Sequence, residues 1–277
     1  MEAGKDVSAT TIRGDAVTHG MENTGSTHVT RRALLSVGGL MFLSACTASG
    51  GMSEHTGTSA PDIVKPTHPG DSHASEPAGV ELPGRPEFYV HQGPRAIALT
   101  IDDGPNPEWT PQVLDILHRY AVTATFCQVG ARVSAYPSLV RAVAAEGHLI
   151  ANHTWTHADL AQASATTVRS QLERTSDTIE KVTGRRPTIF RAPYGAWSEP
   201  TLATCREMGM RLLDWSVDPH DWSRPGTSRI VERIMAHAHP GSIILEHDGG
   251  GDRSQTVAAL RLVLPRLLDA GYQFVTP

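Results

Sequence analysis

The chain has 277 residues, 39% of them hydrophobic, enough for one sizeable core plus extensions. Lys and Arg number 24 against 29 Asp and Glu, and the resulting formal charge of −5 gives no electrostatic case for nucleic acid as a partner. Three cysteines, Cys46, Cys127 and Cys205, are too few for a disulfide framework.

The first feature along the chain is "TRRALLSVGGLMFLSAC". Arg31 and Arg32 precede an uncharged run, Ala33 to Ala45, of 13 residues. That is too short to span a bilayer and suits the apolar region of a signal peptide. The paired arginines resemble a twin-arginine signal, and "LSAC" resembles a bacterial lipobox whose cysteine, Cys46, accepts lipid after cleavage. A buried apolar segment of a cytoplasmic protein is the alternative, but a polar tail follows at once. Residues 1–20 carry no signal feature, so the natural start is expected at Met21. Residues 1–45 are thus read as a signal peptide. Within 47–84, Ser, Thr, Gly and Pro supply 20 of 38 residues, with no Phe, Trp or Tyr. Such a segment cannot bury enough apolar surface to offset the entropy of ordering, so 46–84 reads as a flexible tether and 85–277 as the folded domain.

From Ala96 onward strand and helix alternate. Strand 97–102 precedes helix 110–119, strand 124–129, helix 136–146 and strand 148–151. The long helix 165–183 stops at Gly184. Strand 188–190, helix 199–209, strand 211–217, helix 227–238, strand 242–247, helix 254–270 and strand 272–275 complete the pattern. Continuously apolar strands such as "GSIILEH" suit a parallel sheet covered on both faces. Seven such units point to a (β/α) barrel, with a doubly wound open sheet as the alternative. Cys127 and Cys205 are expected as small buried thiols, a single pair between them being the other possibility.

The chemistry gathers at strand ends. The run "RAIALTIDDGPNP" delivers Asp102 and Asp103 into Gly104 and Pro105, where a regular strand stops. Adjacent carboxylates repel, so an Arg, a His or a metal ion is expected beside them. "ANHTWTH" places His153 and His157 at i and i+4, which one helical turn would bring to one face. Taken alone, such a pair fits surface or hydrogen-bonded histidines better than ligands. Two imidazoles with one carboxylate, however, form the ligand set of a catalytic divalent ion with an open position. Asp103 can supply that carboxylate, leaving Asp102 free to take a proton from water. Arg191, Asp218, Asp221 and His247 also fall at strand ends, which in a barrel converge on one mouth. Arg191 could instead be a solvated strand-end charge. Trp109, Trp155, Trp197 and Trp215 divide ambiguously between core and groove, and Trp215, placed within strand 211–217, is expected in the core.

"TIDDGP", "HTWTH", "RAPYG", "DPHDW" and "LEH" occur in the order and spacing of the five motifs of polysaccharide deacetylases, and residues 90–277 resemble the NodB-homology domain of carbohydrate esterase family four. The resemblance implies a distorted (β/α)7 barrel forming a single catalytic domain. It implies Asp102 as general base, and Asp103, His153 and His157 as ligands of a divalent ion, Zn2+ or another such as Co2+. Arg191 would pair with Asp102, and the Tyr194 N–H would help bind the oxyanion. Trp222 would wall the sugar groove, and Leu245 would line the acetyl pocket. His247 would act as general acid, oriented by Asp221. Two departures stand out: Ile101 where the family commonly has Phe, and Glu246 within a usually apolar run. Alternation turns Glu246 away from Leu245 and His247, so it is expected to be structural or surface exposed.

The resemblance further implies an enzyme that removes acetyl groups from N-acetylated β-1,4 glycans, peptidoglycan or chitin oligosaccharides. An acetylxylan esterase is the alternative, and a non-catalytic glycan-binding lipoprotein the second. A monomer is expected, extracellular and touching the membrane only through its N-terminal lipid anchor.

Overall fold

The computed structural model describes residues 84–277. The expected signal peptide, the expected lipidation site Cys46 and all of the expected tether but Gly84 lie outside them.

Among the described residues, seven strands alternate with seven helices. The chain runs β1 (Ala96–Asp102), α1 (Thr110–Tyr120), β2 (Thr125–Gln128), α2 (Gly130–Ala135), α3 (Pro137–Ala145), β3 (Leu149–Asn152), α4 (Ala165–Thr183) and β4 (Ile189–Phe190). It continues through α5 (Glu199–Glu207), β5 (Arg211–Leu212), α6 (Thr227–His237), β6 (Ile243–His247), α7 (Ser254–Asp269) and β7 (Gln273–Phe274). The strands pair in parallel in the order β5-β4-β3-β2-β1-β6, with β7 on the first residues of β1. The chain after β5 bridges back to β6 at Val217 and Ile244, where Leu245 N–H donates to the Val217 carbonyl at 2.9 Å. The result is the distorted (β/α)7 barrel, and a doubly wound sheet is set aside.

Side-chain alternation along β1 divides two cores. Ile97, Leu99 and Ile101 point outward and pack with α1, α6 and α7. Ala96 and Ala98 point into the barrel with Cys127, Ala151 and Ile243. Each fully buried Ile or Leu contributes roughly 1.5–3 kcal/mol. The small inward residues leave room for a long side chain to enter from across the barrel. Thr100 and Asp102 follow on the inward face at the C-terminal mouth, so the residues that carry chemistry stand on a floor of packed small side chains.

The helices follow ordinary rules where the site does not intervene. In α4 the Ser164 hydroxyl accepts a hydrogen bond from the Thr167 N–H at 3.2 Å, and Gly184, at φ +74°, ends the helix. Val168, Leu172, Thr175, Ser176 and Ile179 form its buried stripe at a spacing of three to four. Cys127 and Cys205 are buried free thiols. Among the described residues no helix is long and apolar enough to cross a membrane.

Several sequence expectations need correction. A separate helix, α2, precedes α3, which begins at Pro137 instead of residue 136. The expected strand 211–217 holds only β5 plus bridges at Leu213 and Val217, because its backbone serves three neighbours. Leu213 N–H donates to Phe190, Asp214 N–H to Glu87 and Val217 N–H to Ile243. Trp215 therefore lies outside any strand and is half-buried against the inner core. Glu246 turns outward as alternation predicts and is fully buried, which leaves the structural one of its two expected readings.

Candidate active site

The mouth of the barrel carries a buried ion pair. Arg191 follows β4, is fully buried, and crosses the barrel to reach β1. One terminal nitrogen donates to Asp102 Oδ1 at 2.8 Å and to Thr100 Oγ1 at 2.7 Å, while the other donates to the Asp214 carbonyl at 2.8 Å. Burial opposes the guanidinium charge, but Asp102, Cys127 and Asp214 together hold its pKa above the ordinary value. The strand-end charge of Arg191 is therefore internal, not solvated. Asp102 is itself only 3% exposed, so the pair is desolvated and strongly coupled.

Asp103 turns out of the strand at φ +73°, which aims its carboxylate at the same mouth as Asp102. Its Oδ1 lies 3.5 Å from His153 Nε2 and 3.1 Å from His157 Nε2, yet it is buried without a hydrogen-bond partner. Burial would raise the Asp103 pKa, but the two imidazoles beside it hold it well below the usual carboxylate range. The two histidines do not share a helical turn as the spacing predicts. They sit on an irregular loop, with Thr154 at φ +64° and His157 at φ +59°, and these two reversals bring both rings to Asp103.

The donor set fits a divalent cation. One ligand atom from each of Asp103, His153 and His157 lies within 4.8 Å of the others. His153 Nδ1 stands 2.8 Å from the Arg191 carbonyl, which can accept only if that nitrogen carries the proton, so Nε2 is left with a lone pair facing Asp103. The unsatisfied Asp103 Oδ1 then has its natural partner in a metal ion.

On the opposite wall, His247 ends β6. Its Nδ1 is 2.7 Å from Asp221 Oδ1, and Asp221 Oδ2 accepts the His247 backbone N–H at 3.0 Å and the Thr256 hydroxyl at 2.7 Å. Burial disfavours the imidazolium, but Asp221 outweighs it and raises the pKa to about 9. His247 is therefore protonated at neutral pH. Asp221 is buried too, which would raise its pKa, yet His247 holds it below the ordinary value. Asp218 stands apart from this pair, accepting the His220 N–H at 2.7 Å and shaping the turn that precedes Asp221.

The remaining predicted residues frame an opening. Tyr194, at φ +63° and 69% exposed, places its hydroxyl 3.2 Å from His157 Nδ1. Trp222 is 52% exposed and stacks on His220, while Leu245 is buried on the inward face of β6. Of the undecided tryptophans, Trp197 donates to Asp214 at 3.0 Å and Trp155 lies under the Arg174 guanidinium, so neither is a free groove wall. Sequence reasoning missed two buried supports. Asp248 receives the Thr110 hydroxyl, is pushed up to about 7 by burial, and presses on Gly104, where any Cβ would collide with its carboxylate. Arg253 spans the Gly249 and Trp222 carbonyls. Their signal was the polar, glycine-rich run "HDGGGDR" after β6.

Residues 90–213 match the family model described as polysaccharide deacetylase. A chitooligosaccharide deacetylase of Bradyrhizobium sp. is 43% identical over 193 residues, 65% of this chain and 88% of the relative. A peptidoglycan-N-acetylglucosamine deacetylase of Bacillus cereus is 42% identical over 199 residues, 71% of this chain and 93% of the relative. Among solved structures, the Bc1960 peptidoglycan N-acetylglucosamine deacetylase aligns with a TM-score of 0.67 at 35% identity, covering 69% of this chain and 89% of that one. Identity above 40% across most of each relative's length carries the assignment that geometry alone leaves open: this chain belongs to the polysaccharide deacetylase family, with its NodB-homology fold.

Proposed function

We propose that the protein is a metal-dependent hydrolase that removes acetyl groups from N-acetylated β-1,4 glycans, peptidoglycan or chitin oligosaccharides, by cutting the amide C–N bond. The observation that carries this reading is two oppositely charged proton-handling pairs, Asp102 with Arg191 and His247 with Asp221, built around one three-ligand cluster. Asp103, His153 and His157 would hold the ion, zinc in this reading, which when bound supplies Lewis acidity toward water and the acyl oxygen.

The chain's own residues then divide the proton work. Asp102, whose charge is balanced by Arg191, takes the proton from the attacking water. The Tyr194 N–H donates to the oxyanion as it develops, and Leu245 receives the acetyl methyl. His247, charged through Asp221, gives its proton to the leaving amine, which is a poor leaving group without one. The exposed Trp222 face offers the sugar ring a stacking surface. Acetate release from chitooligosaccharides, peptidoglycan and acetylated xylan, compared at equal acetyl content, tests the reading. Turnover confined to the xylan would replace it with the esterase.

We further infer that the chain is secreted and anchored outside the membrane through lipid on Cys46, on the strength of "RR", the 13-residue apolar run and "LSAC". Detergent partitioning of the cell-associated protein should then vanish in Cys46→Ala. Persistence in that variant would overturn the anchor.

A further inference from the structure

Glu246 departs from the family's pattern, and the site described above does not use it. Parallel pairing sets it opposite Ile101, whose side chain lies in the outer core, so Glu246 points under the helices and away from the mouth. It is fully buried, and neither carboxylate oxygen has a hydrogen-bond partner. An ionised carboxylate there would be desolvated without a donor, an arrangement that proteins relieve by neutralising the group.

The groups facing it decide how. Asp221 lies against it from the turn at Asp221–Ser223, Asp218 adds a second negative charge from the preceding loop, and Arg253 approaches from the start of α7. Arg253 directs its Nε to the Gly249 carbonyl and a terminal nitrogen to the Trp222 carbonyl, so these donors are committed elsewhere. Two adjoining carboxylates are both acceptors, and only a proton turns that contact into a hydrogen bond. Burial, then the charge of Asp221, pushes the Glu246 carboxyl well above its ordinary range, whereas His247 keeps Asp221 ionised against the effect of burial. The proton therefore belongs on Glu246.

We propose that Glu246 is a neutral carboxylic acid in the folded protein, that its hydroxyl donates to Asp221, and that it is a positioning residue for the His247 imidazolium. Asp221 then accepts from the His247 ring and backbone, from Thr256 and from Glu246. Each added donor spreads the carboxylate charge and tempers its pull on the ring proton. The catalytic consequence rests on the reading of His247 as the leaving-group acid; the protonation state does not.

The first test needs no activity. A carboxyl whose folded pKa is raised stabilises the fold fully below its unfolded pKa of 4.5 and loses that contribution as pH rises toward the folded value. Glu246→Gln keeps the shape and one donor but does not titrate. Across pH 5–8, urea unfolding should show its folding constant gaining on wild type by up to about tenfold per pH unit. An infrared carboxylic-acid band should disappear in the same variant. A flat stability difference with no band lost would mean that Glu246 is ionised, and the proposal falls.

The second test is the alkaline limb of kcat/KM. Glu246→Gln should leave it in place, and Glu246→Leu, which removes the donor, should raise it. A limb lowered in Glu246→Gln would reveal a lost negative charge and overturn the proposal. A limb unmoved in Glu246→Leu would overturn the positioning role. If wild type shows no limb that depends on His247, the acid assignment fails, and the stability comparison still decides the protonation state.

Discussion

Asp221→Asn is expected to move the alkaline limb of the rate profile by a predictable amount. Asp221 outweighs burial and holds the His247 imidazole at about 9 against an ordinary value of 6.5, a net preference for the charged form of roughly 3 kcal/mol. Burial acts in the other direction, and the pull of Asp103 and Asp102 is smaller, so removing the Asp221 charge should bring the ring to 6.5 or below. At pH 8 the protonated fraction then falls from roughly 0.9 to roughly 0.03, a loss of about 30-fold for an amide substrate at that pH. At pH 6 the loss should be under about twofold for a ring at 6.5, because both rings then carry their proton for most of the time. The assay is kcat/KM for acetate release from a chitooligosaccharide between pH 5 and 10, with wild type and variant at equal metal content. Stability supplies a second reading of the same proton. A raised histidine pKa gives stability that is fully present below 6.5 and lost as pH rises through about 9, so wild type should lose its advantage over the variant across that window. An alkaline limb that stays near 9 in Asp221→Asn would show that Asp221 does not set the charge of His247.

His247→Ala should cost on the order of 10²–10⁴-fold on an N-acetyl glycan and much less on an aryl acetate, whose leaving group needs no proton. Asp102→Asn should impair both substrates, and equal losses on both in His247→Ala would remove His247 as the leaving-group acid. Prolonged chelation should abolish acetate release, with zinc or cobalt restoring it, and calorimetric metal titration should find His157→Ala far weaker than Asp102→Asn. Full activity in metal-free protein would refute the ligand set. Arg191→Met should destabilise the fold by about 3–5 kcal/mol in urea titrations at neutral pH, because Asp102 loses the buried guanidinium that balances it while Thr100 and the Asp214 carbonyl lose donors. A loss under about 1 kcal/mol would mean that water already reaches Asp102.

Much of the fold was legible because local rules and tertiary demands agreed. The limits of α4 follow from a Ser cap and a Gly stop, and β1 from a run whose two faces both meet protein. Legibility ended where the backbone serves several neighbours at once. Residues 211–217 look like one strand because their composition is apolar and β-favouring, but their donors divide among β4, the segment at Glu87 and β6. Composition cannot encode that division. Glu246 illustrates a second limit: alternation gave its direction correctly, but whether water or helix lies in that direction is a tertiary fact. The candidate site was legible as residue types at strand ends, while the i, i+4 spacing of the histidines suggested a helical turn that the loop does not form.

That loop shows how sequence neighbours come to share one site. In an extended strand Asp102 and Asp103 would point to opposite faces, one into the barrel and one under the helices. The reversal at Asp103 is what lets consecutive residues present the proposed base and the proposed ligand to the same mouth. The same device recurs at Thr154, His157 and Tyr194, and again at His220 and Arg224, which flank Asp221 and Trp222. Among the described residues, apart from Ala121, which ends α1, the non-glycine residues with positive φ all border this site. Residues held in such conformations cost of order 1–3 kcal/mol each and persist only where their surroundings determine them. Here the surroundings are named. Asn152 accepts the Thr154 N–H at 3.0 Å, Gln171 accepts from Trp155 at 2.8 Å, and Asp218 accepts from His220. Gly249 and Gly250 let the loop after His247 close over Asp103, since a Cβ at either position would collide with it. The barrel supplies a rigid rim, and the strained residues aim its side chains inward. It follows that substitutions at these supports should disturb metal affinity and rate before they disturb folding, because the local strain they hold is small beside the burial of the two cores.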